Sequence, residues 1–200
     1  MSINFYNLNA QTFYEETVNA DMSNLHNRFL AHVMPGGHIL DAGCGSGRDS
    51  LAFLKLGYEV SSFDASQEMV RMSSELVKGC GGEPTRLMTF QQLEDVGEYD
   101  GIWASASLLH VSSDEMEEAI SKLVRALKPG GVLYASFKYG KGEVEREGRT
   151  FTLFTEESIE KQIGGHNGLK KLDLWTTQDV RVGREHERWV NGVWRKQWDQ

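Results

Sequence analysis

The chain has 200 residues, a formal net charge of −8 and 40% hydrophobic residues, which is enough for one buried core and short for two domains. No stretch approaches the roughly 20 apolar residues of a membrane span. The polar start MSINFYNLNAQ lacks the basic-then-apolar order of a secretion signal, and the negative balance disfavours a nucleic-acid partner, whose phosphates call for Lys or Arg.

Phe5, Tyr6, Phe13 and Tyr14 mark an aromatic amino-terminal segment, FYNLNAQTFYEET. From residue 38 to 137, short apolar runs alternate with longer amphipathic stretches, the signature of βαβ units and a parallel sheet. His38–Ala42 reads as a strand, Asp49–Leu56 as a helix, Glu59–Phe63 as a strand and Gln67–Lys78 as a helix, with Gly57 and Gly79 at the helix ends. A third strand is expected near Arg86–Phe90 and a fourth at Gly101–Ala104. Ser113 is placed to cap a helix over Asp114–Leu127, which the run Lys128-Pro129-Gly130-Gly131 stops before a strand at Val132–Phe137.

Residues 139–150, YGKGEVEREGRT, are too charged and too long for a routine connection and read as a mobile or functional loop, a candidate lid. Thr155 opens a T-x-x-S stretch leading into a helix to Ile163. Residues 172–195 look like two extended segments around Gly183, the second running through Asn191-Gly192 as an edge strand rather than turning there. Cys44 and Cys80 stand apart, and the six histidines form no ligand-spaced cluster. A reducing, cytoplasmic setting is therefore expected, with neither a disulfide nor a metal.

The chemistry concentrates in ILDAGCGSGRDS. Gly43, Gly45 and Gly47 follow an apolar strand and precede a helix, where glycine lets the backbone turn sharply and approach a ligand. A pyrophosphate at this turn would be repelled by Asp41 at the strand end. S-adenosylmethionine instead brings an ammonium and a sulfonium, which an acid attracts. Asp41 also reads as a buried acid that caps the turn. Asp64 closes the second strand, where a carboxylate accepts hydrogen bonds from both ribose hydroxyls; its other reading is an Asx turn or helix cap.

The pattern DAGCGSG with an acid at the next strand end, together with YDGIWASASLLHV and LKPGGVLYASFKYG, resembles the class I S-adenosylmethionine-dependent methyltransferases over residues 38–137. The run GRDSLAFLKLGYEVSSFDAS is most similar to the tellurite-resistance-protein-related branch, whose acceptors are small molecules. The resemblance implies a Rossmann-like, doubly wound α/β fold with a mostly parallel seven-stranded sheet and an antiparallel edge strand. It implies one domain over 1–200: a helical cover at 1–37, a cofactor core at 38–137, and an acceptor loop with carboxyl-terminal strands at 138–200. It places Asp41 and Gly43 beside the methionine part, Asp64 and Ala65 beside ribose and adenine, and Ala104 and Ser105 beside the methionine carboxylate or sulfonium. The family's acid after the third strand is missing here, leaving Gln91 or Gln92 to meet the adenine amino group.

Methyl transfer asks the protein mainly for alignment and exclusion of water. His110, past the fourth strand, is the candidate general base, and Arg149 at the end of the 139–150 loop is the candidate cation for an anionic acceptor. Lys138 and Tyr139 are delivered to the same edge. Cys44 has no neighbouring histidine to act as its base and reads as a buried filler. The protein is expected to be a monomer or weak dimer. Two other readings are a nicotinamide oxidoreductase, opposed by Arg48 in place of the last fingerprint glycine, and a catalytically idle cofactor-binding module.

Overall fold

The computed structural model describes residues 2–166, 168–181 and 183–198; the two ends of the expected 1–200 range, Met1 and residues 199–200, lie outside them. Three short helices come first, α1 (Ser2–Leu8), α2 (Ala10–Thr17) and α3 (Ser23–Leu30). The alternating core follows: β1 (His38–Ala42), α4 (Arg48–Lys55), β2 (Glu59–Asp64), α5 (Gln67–Lys78), β3 (Arg86–Leu87), β4 (Tyr99–Ala104), α6 (Ser113–Ala126) and β5 (Leu127–Lys138). The chain ends through β6 (Gly142–Arg146), β7 (Arg149–Leu153), α7 (Glu156–Ile159), β8 (Leu169–Gln178) and β9 (Arg188–Lys196).

Seven strands form one sheet in the order β3-β2-β1-β4-β5-β9-β8. The five strands from β3 to β5 pair in parallel, as βαβ crossovers require. β9 is antiparallel to both neighbours, so the expected mostly parallel α/β sheet is present. The antiparallel strand sits one place in from the edge, with β8 outermost. Asn191-Gly192 lies mid-strand as expected, but that strand is interior: Asn191 pairs with Ser136 on one side and Trp175 on the other.

The central strands read as apolar runs because helices cover both their faces. Alternate side chains serve two separate cores. Leu40, Ile102, Leu133 and Phe137 pack with α6 residues such as Leu123. Ile39, Trp103, Val132 and Tyr134 pack with Phe29 of α3 and Phe53 of α4. Trp103 and Tyr134 stack at 3.9 Å between ring centroids and 11° between planes, fixing the register of β4 on β5. The strand order reverses at β1, so the loops after β1 and β4 diverge and open a crevice at their carboxyl ends.

Three expectations are corrected. Residues 142–153 are a β-hairpin, not an irregular loop. Glu147 and Gly148 both take positive φ, 52° and 71°, the backbone of a two-residue turn whose twist matches the strands. β7 is held because Phe151 and Thr152 are buried and Thr152 Oγ1 donates to Val111 O at 2.8 Å. The third strand shrinks to Arg86–Leu87, since Thr89 and Gln92 form a capping box around a 3₁₀ turn at Phe90–Gln92. α6 begins at Ser113 with Ser112 as its cap residue, while the Ser113 hydroxyl donates to Glu143 Oε1 of β6 at 2.7 Å.

Gly47 caps α4 with φ 80°, and a Cβ there would lie 2.8 Å from Ser73 Cβ and 3.0 Å from Ser73 Cα on α5. Gly47→Ala therefore combines left-handed strain with a helix–helix clash, and an unfolding free energy lower by about 2–4 kcal/mol is expected in urea denaturation. Adding Ser73→Gly recovers part of that loss. Unchanged stability of the single variant would contradict this packing role.

Candidate active site

The turn after β1 is pinned to β2, because Gly43 N and Cys44 N both donate to Phe63 O at 2.9 Å. Gly43 has φ 76°, and a Cβ there would come within 2.5 Å of Ser107 Cβ from the loop after β4. Only glycine lets these two loops approach this closely. Together they floor a cavity of about 690 Å³, within the range of ligand sites. Its roof comes from α1 and α2, through Tyr6 and Phe13, and its far wall from β7 and the β8–β9 turn.

Two buried carboxylates stand side by side in the floor with opposite fates. Asp49 receives Arg48 through both oxygens at 2.8 Å, His26 Nε2 at 2.9 Å and Trp103 Nε1 at 2.9 Å. Burial alone would raise its pKa, but Arg48 and His26 hold it well below the usual carboxylate range. Asp41 is 2% exposed and is bonded by Ser50 Oγ at 2.6 Å. Burial, reinforced by the charge on Asp49, pushes its carboxyl up to about 8. The local cation Arg48 is already committed to Asp49, so Asp41 forms an uncompensated acidic spot.

Asp64 accepts from Gly45 N at 2.9 Å through Oδ2 and from Ser66 N at 2.8 Å through Oδ1. Burial raises its carboxyl and these backbone donors pull it back. The carboxylate thus makes the Asx-type bond to Ser66 and still lines the cavity, with lone pairs to spare. Ser66, not Asp64, caps α5 and bonds Asn7 of α1 at 2.7 Å, which ties the roof to the floor.

Asp41, Gly43, Gly45, Asp64, Ala65, Gln91, Ser105, His110 and Arg149 all line the cavity. Gly47 and Ala104 do not. Gly47 faces α5, and Ala104 is fully buried within the sheet, paired with Ala135. Of the two glutamines, Gln91 reaches the cavity while Gln92 turns back to Thr89 N at 2.8 Å. Cys44 is half-buried and also lines the cavity, and burial raises its thiol well above the ordinary range.

At the other end, His110 lies between Tyr6 Oη at 2.8 Å and Thr150 O at 2.9 Å. Burial lowers its pKa to about 4, with the charges of Arg149 and Lys138 adding to the effect, so it is neutral at ordinary pH. Arg149 stacks its guanidinium carbon 4.0 Å above the Phe5 ring centroid and pairs with Glu147 at 2.6 Å. Lys138 is committed to Glu187. The rim turn after β8 adds Asp179, bound by Arg181 through both oxygens and by Trp189 Nε1 at 3.0 Å. The Arg48–Asp49–His26–Trp103 network and this rim cluster escaped the sequence reading, since their members are joined only by the fold. Among the described residues no group of three or more His, Cys, Asp or Glu is placed to hold a metal ion, and no helix is long and apolar enough to cross a membrane.

The strand order and the crevice after β1 and β4 define a Rossmann-like, doubly wound fold. The 1,6-didemethyltoxoflavin-N1-methyltransferase of Burkholderia thailandensis, solved with 1,6-didemethyltoxoflavin and S-adenosylhomocysteine, shares it at a TM-score of 0.80 and 20% identity, over 98% of this chain and 86% of that one. Residues 39–131, from β1 into β5, match the family model described as a methyltransferase domain. A ubiquinone biosynthesis O-methyltransferase of Xanthomonas campestris pv. campestris is 30% identical over 107 residues, 52% of this chain and 44% of that protein. A tRNA N(3)-cytidine methyltransferase of Danio rerio is 26% identical over 182 residues, 78% of this chain and 51% of that protein. The chain thus spans about half the length of these curated relatives.

The uncompensated Asp41 makes a prediction with a definite sign. In the unfolded chain it ionises near 3.8, in the folded chain near 8, so between these values the folded state holds the extra proton and stability falls as pH rises. Asp41→Asn keeps the shape and the Ser50 bond without the charge. Calorimetric melting is expected to match wild type near pH 4 and to lie about 5 °C or more higher at pH 8. Equal melting temperatures at pH 8 would contradict the assignment.

Proposed function

We propose that the protein is an S-adenosylmethionine-dependent methyltransferase that acts on a small-molecule acceptor. The observation that carries this reading is the buried Asp41 carboxylate, with no cation of its own, beside a glycine turn that leaves room for a ligand. Protonated in the free protein, this carboxyl can ionise opposite an ammonium or sulfonium and so bind it, whereas a pyrophosphate would keep it neutral and gain no such attraction. That fits S-adenosylmethionine and opposes a nicotinamide dinucleotide, as does Arg48 at the last fingerprint position.

In this reading Asp41 and Gly43 hold the cationic methionine part, and Asp64 accepts from the ribose. Ala65 and Gln91 border the adenine, with Ser105 on the methionine side. When bound, the cofactor supplies an electrophilic methyl group. The chain's own part is to exclude water with α1 and α2, to align the acceptor, and to manage its proton through groups at the far end of the cavity. The polar far end of the same cavity, around His110 and Arg149, favours an enzyme over an idle binding module. The small-molecule acceptor is supported by the enclosing roof, and the net charge of −8 argues against an RNA substrate such as that of the Danio rerio relative. The likeness of GRDSLAFLKLGYEVSSFDAS to the tellurite-resistance-related branch agrees with a small acceptor.

Calorimetry is expected to give micromolar binding of S-adenosylmethionine and S-adenosylhomocysteine, and Asp64→Ala is expected to weaken both by about 1–3 kcal/mol through loss of the ribose acceptor. Full affinity in the variant would remove Asp64 from the site. Absence of binding by wild type would overturn the function itself.

A further inference from the structure

Tyr6 on α1 and His110 just past β4 are 104 positions apart, yet the fold joins them at 2.8 Å in the cavity wall. The direction of that bond follows from the other side of the imidazole. Thr150 O, 2.9 Å from Nδ1, can only accept, so Nδ1 carries the hydrogen and Nε2 is the bare nitrogen. The Tyr6 hydroxyl therefore donates to Nε2 and keeps oxygen lone pairs for a donor in the cavity. The polar line Tyr6–His110–Thr150 runs between aromatic walls, with Phe13 at 5.0 Å from the Tyr6 ring and Phe151 at 5.0 Å from the His110 ring. Arg149 also acts on the Tyr6 hydroxyl, opposing the rise that burial imposes on it.

We propose that Tyr6 is the catalytic residue that accepts the proton of a phenolic hydroxyl, the acceptor of the methyl group, while passing its own proton to His110. This deepens the methyltransferase reading and rests on it. The acceptor oxygen forms its bond to the methyl carbon as the carbon–sulfur bond breaks, and the electron pair of that bond stays on sulfur. The acceptor proton moves to Tyr6 Oη, the Tyr6 proton moves to His110 Nε2, and once the methylated product has left, the imidazolium returns its proton through Tyr6 Oη to water entering the cavity. Burial, aided by Arg149 and Lys138, makes that imidazolium acidic, with a pKa of about 4, so the relay resets after each turnover.

The geometry selects the acceptor class. A proton relay has no role for a chalcogen oxyanion or a thioether, which carry no proton on the attacking atom. An aliphatic hydroxyl holds its proton too tightly for a chain that ends in so weak a base. A phenol ordinarily ionises near 10, its ring fits the walls of Phe13 and Phe151, and Arg149 meets the charge that grows on its oxygen.

The first test is calorimetry on protein saturated with S-adenosylhomocysteine. 4-Nitrophenol is expected to bind at least about fivefold more tightly than 4-nitroanisole, the difference one hydrogen bond makes, and Tyr6→Phe is expected to abolish that preference. The second is turnover with S-adenosylmethionine and a set of substituted phenols. Tyr6→Phe and His110→Gln are each expected to lower kcat at least about tenfold with KM little changed. Glutamine keeps both hydrogen bonds of His110 but takes up no proton, so its loss of kcat separates proton transfer from support of the ring. If the cofactor product binds while no phenol binds or is methylated, the acceptor assignment fails and the methyltransferase reading stands. Full kcat in Tyr6→Phe overturns the role of Tyr6, and absence of cofactor binding overturns both readings.

Discussion

A buried carboxylate without a cation is the constraint around which this molecule is arranged. Asp41 is the penultimate residue of β1, a strand covered on both faces, so its side chain emerges among the apolar side chains of the sheet. The neighbouring Asp49 has drawn in Arg48, His26 and the Trp103 indole, which leaves Asp41 with the Ser50 hydroxyl as its nearby donor. A protein designed for stability alone would neutralise or replace such a group. Its retention at the mouth of a glycine turn makes physical sense when a cationic ligand offsets the cost on binding.

The remaining features follow from giving such a ligand a dry chamber. Gly43 lets the loops after β1 and β4 meet under it, whereas Gly47 serves the contact between α4 and α5. Asp64 is fixed by two backbone donors, so it is positioned before a ligand arrives. α1 buries none of its own residues fully. It is held by what it touches in the site: Ser66 through Asn7, His110 through Tyr6, and the Arg149 guanidinium through Phe5. The roof is thus coupled to both the floor and the far wall, which suits a cover that must open for exchange and close for chemistry.

The parts of this arrangement that lie within one strand–turn–helix unit were legible in the sequence. β1, the glycine turn, β2 and Asp64 fall within residues 38–64, and local periodicity and turn chemistry specify them. The 142–153 hairpin is obscured in the sequence because its signal is a two-residue Glu147-Gly148 turn after a highly charged arm, GEVER. Only the burial of Phe151 and Thr152 against the core makes it a hairpin. Gln91 and Gln92 were indistinguishable until the capping box turned Gln92 away. Contacts such as Tyr6 with His110, or His26 with Asp49, depend on tertiary packing between distant segments, and no local pattern announces them. The interior place of β9 was hidden for the same reason, since an edge strand and a strand returning beside β5 carry similar alternation.

The most direct measurement is the carboxyl carbon shift of Asp41, followed by NMR through a pH titration of ¹³C-labelled protein, free and saturated with S-adenosylhomocysteine. A midpoint near 8 is expected in the free protein, falling well below neutrality in the complex as the ligand's ammonium supplies the missing charge. A midpoint near the ordinary aspartate value in the free protein, or one that saturating ligand leaves unmoved, would contradict a site built around an uncompensated carboxylate.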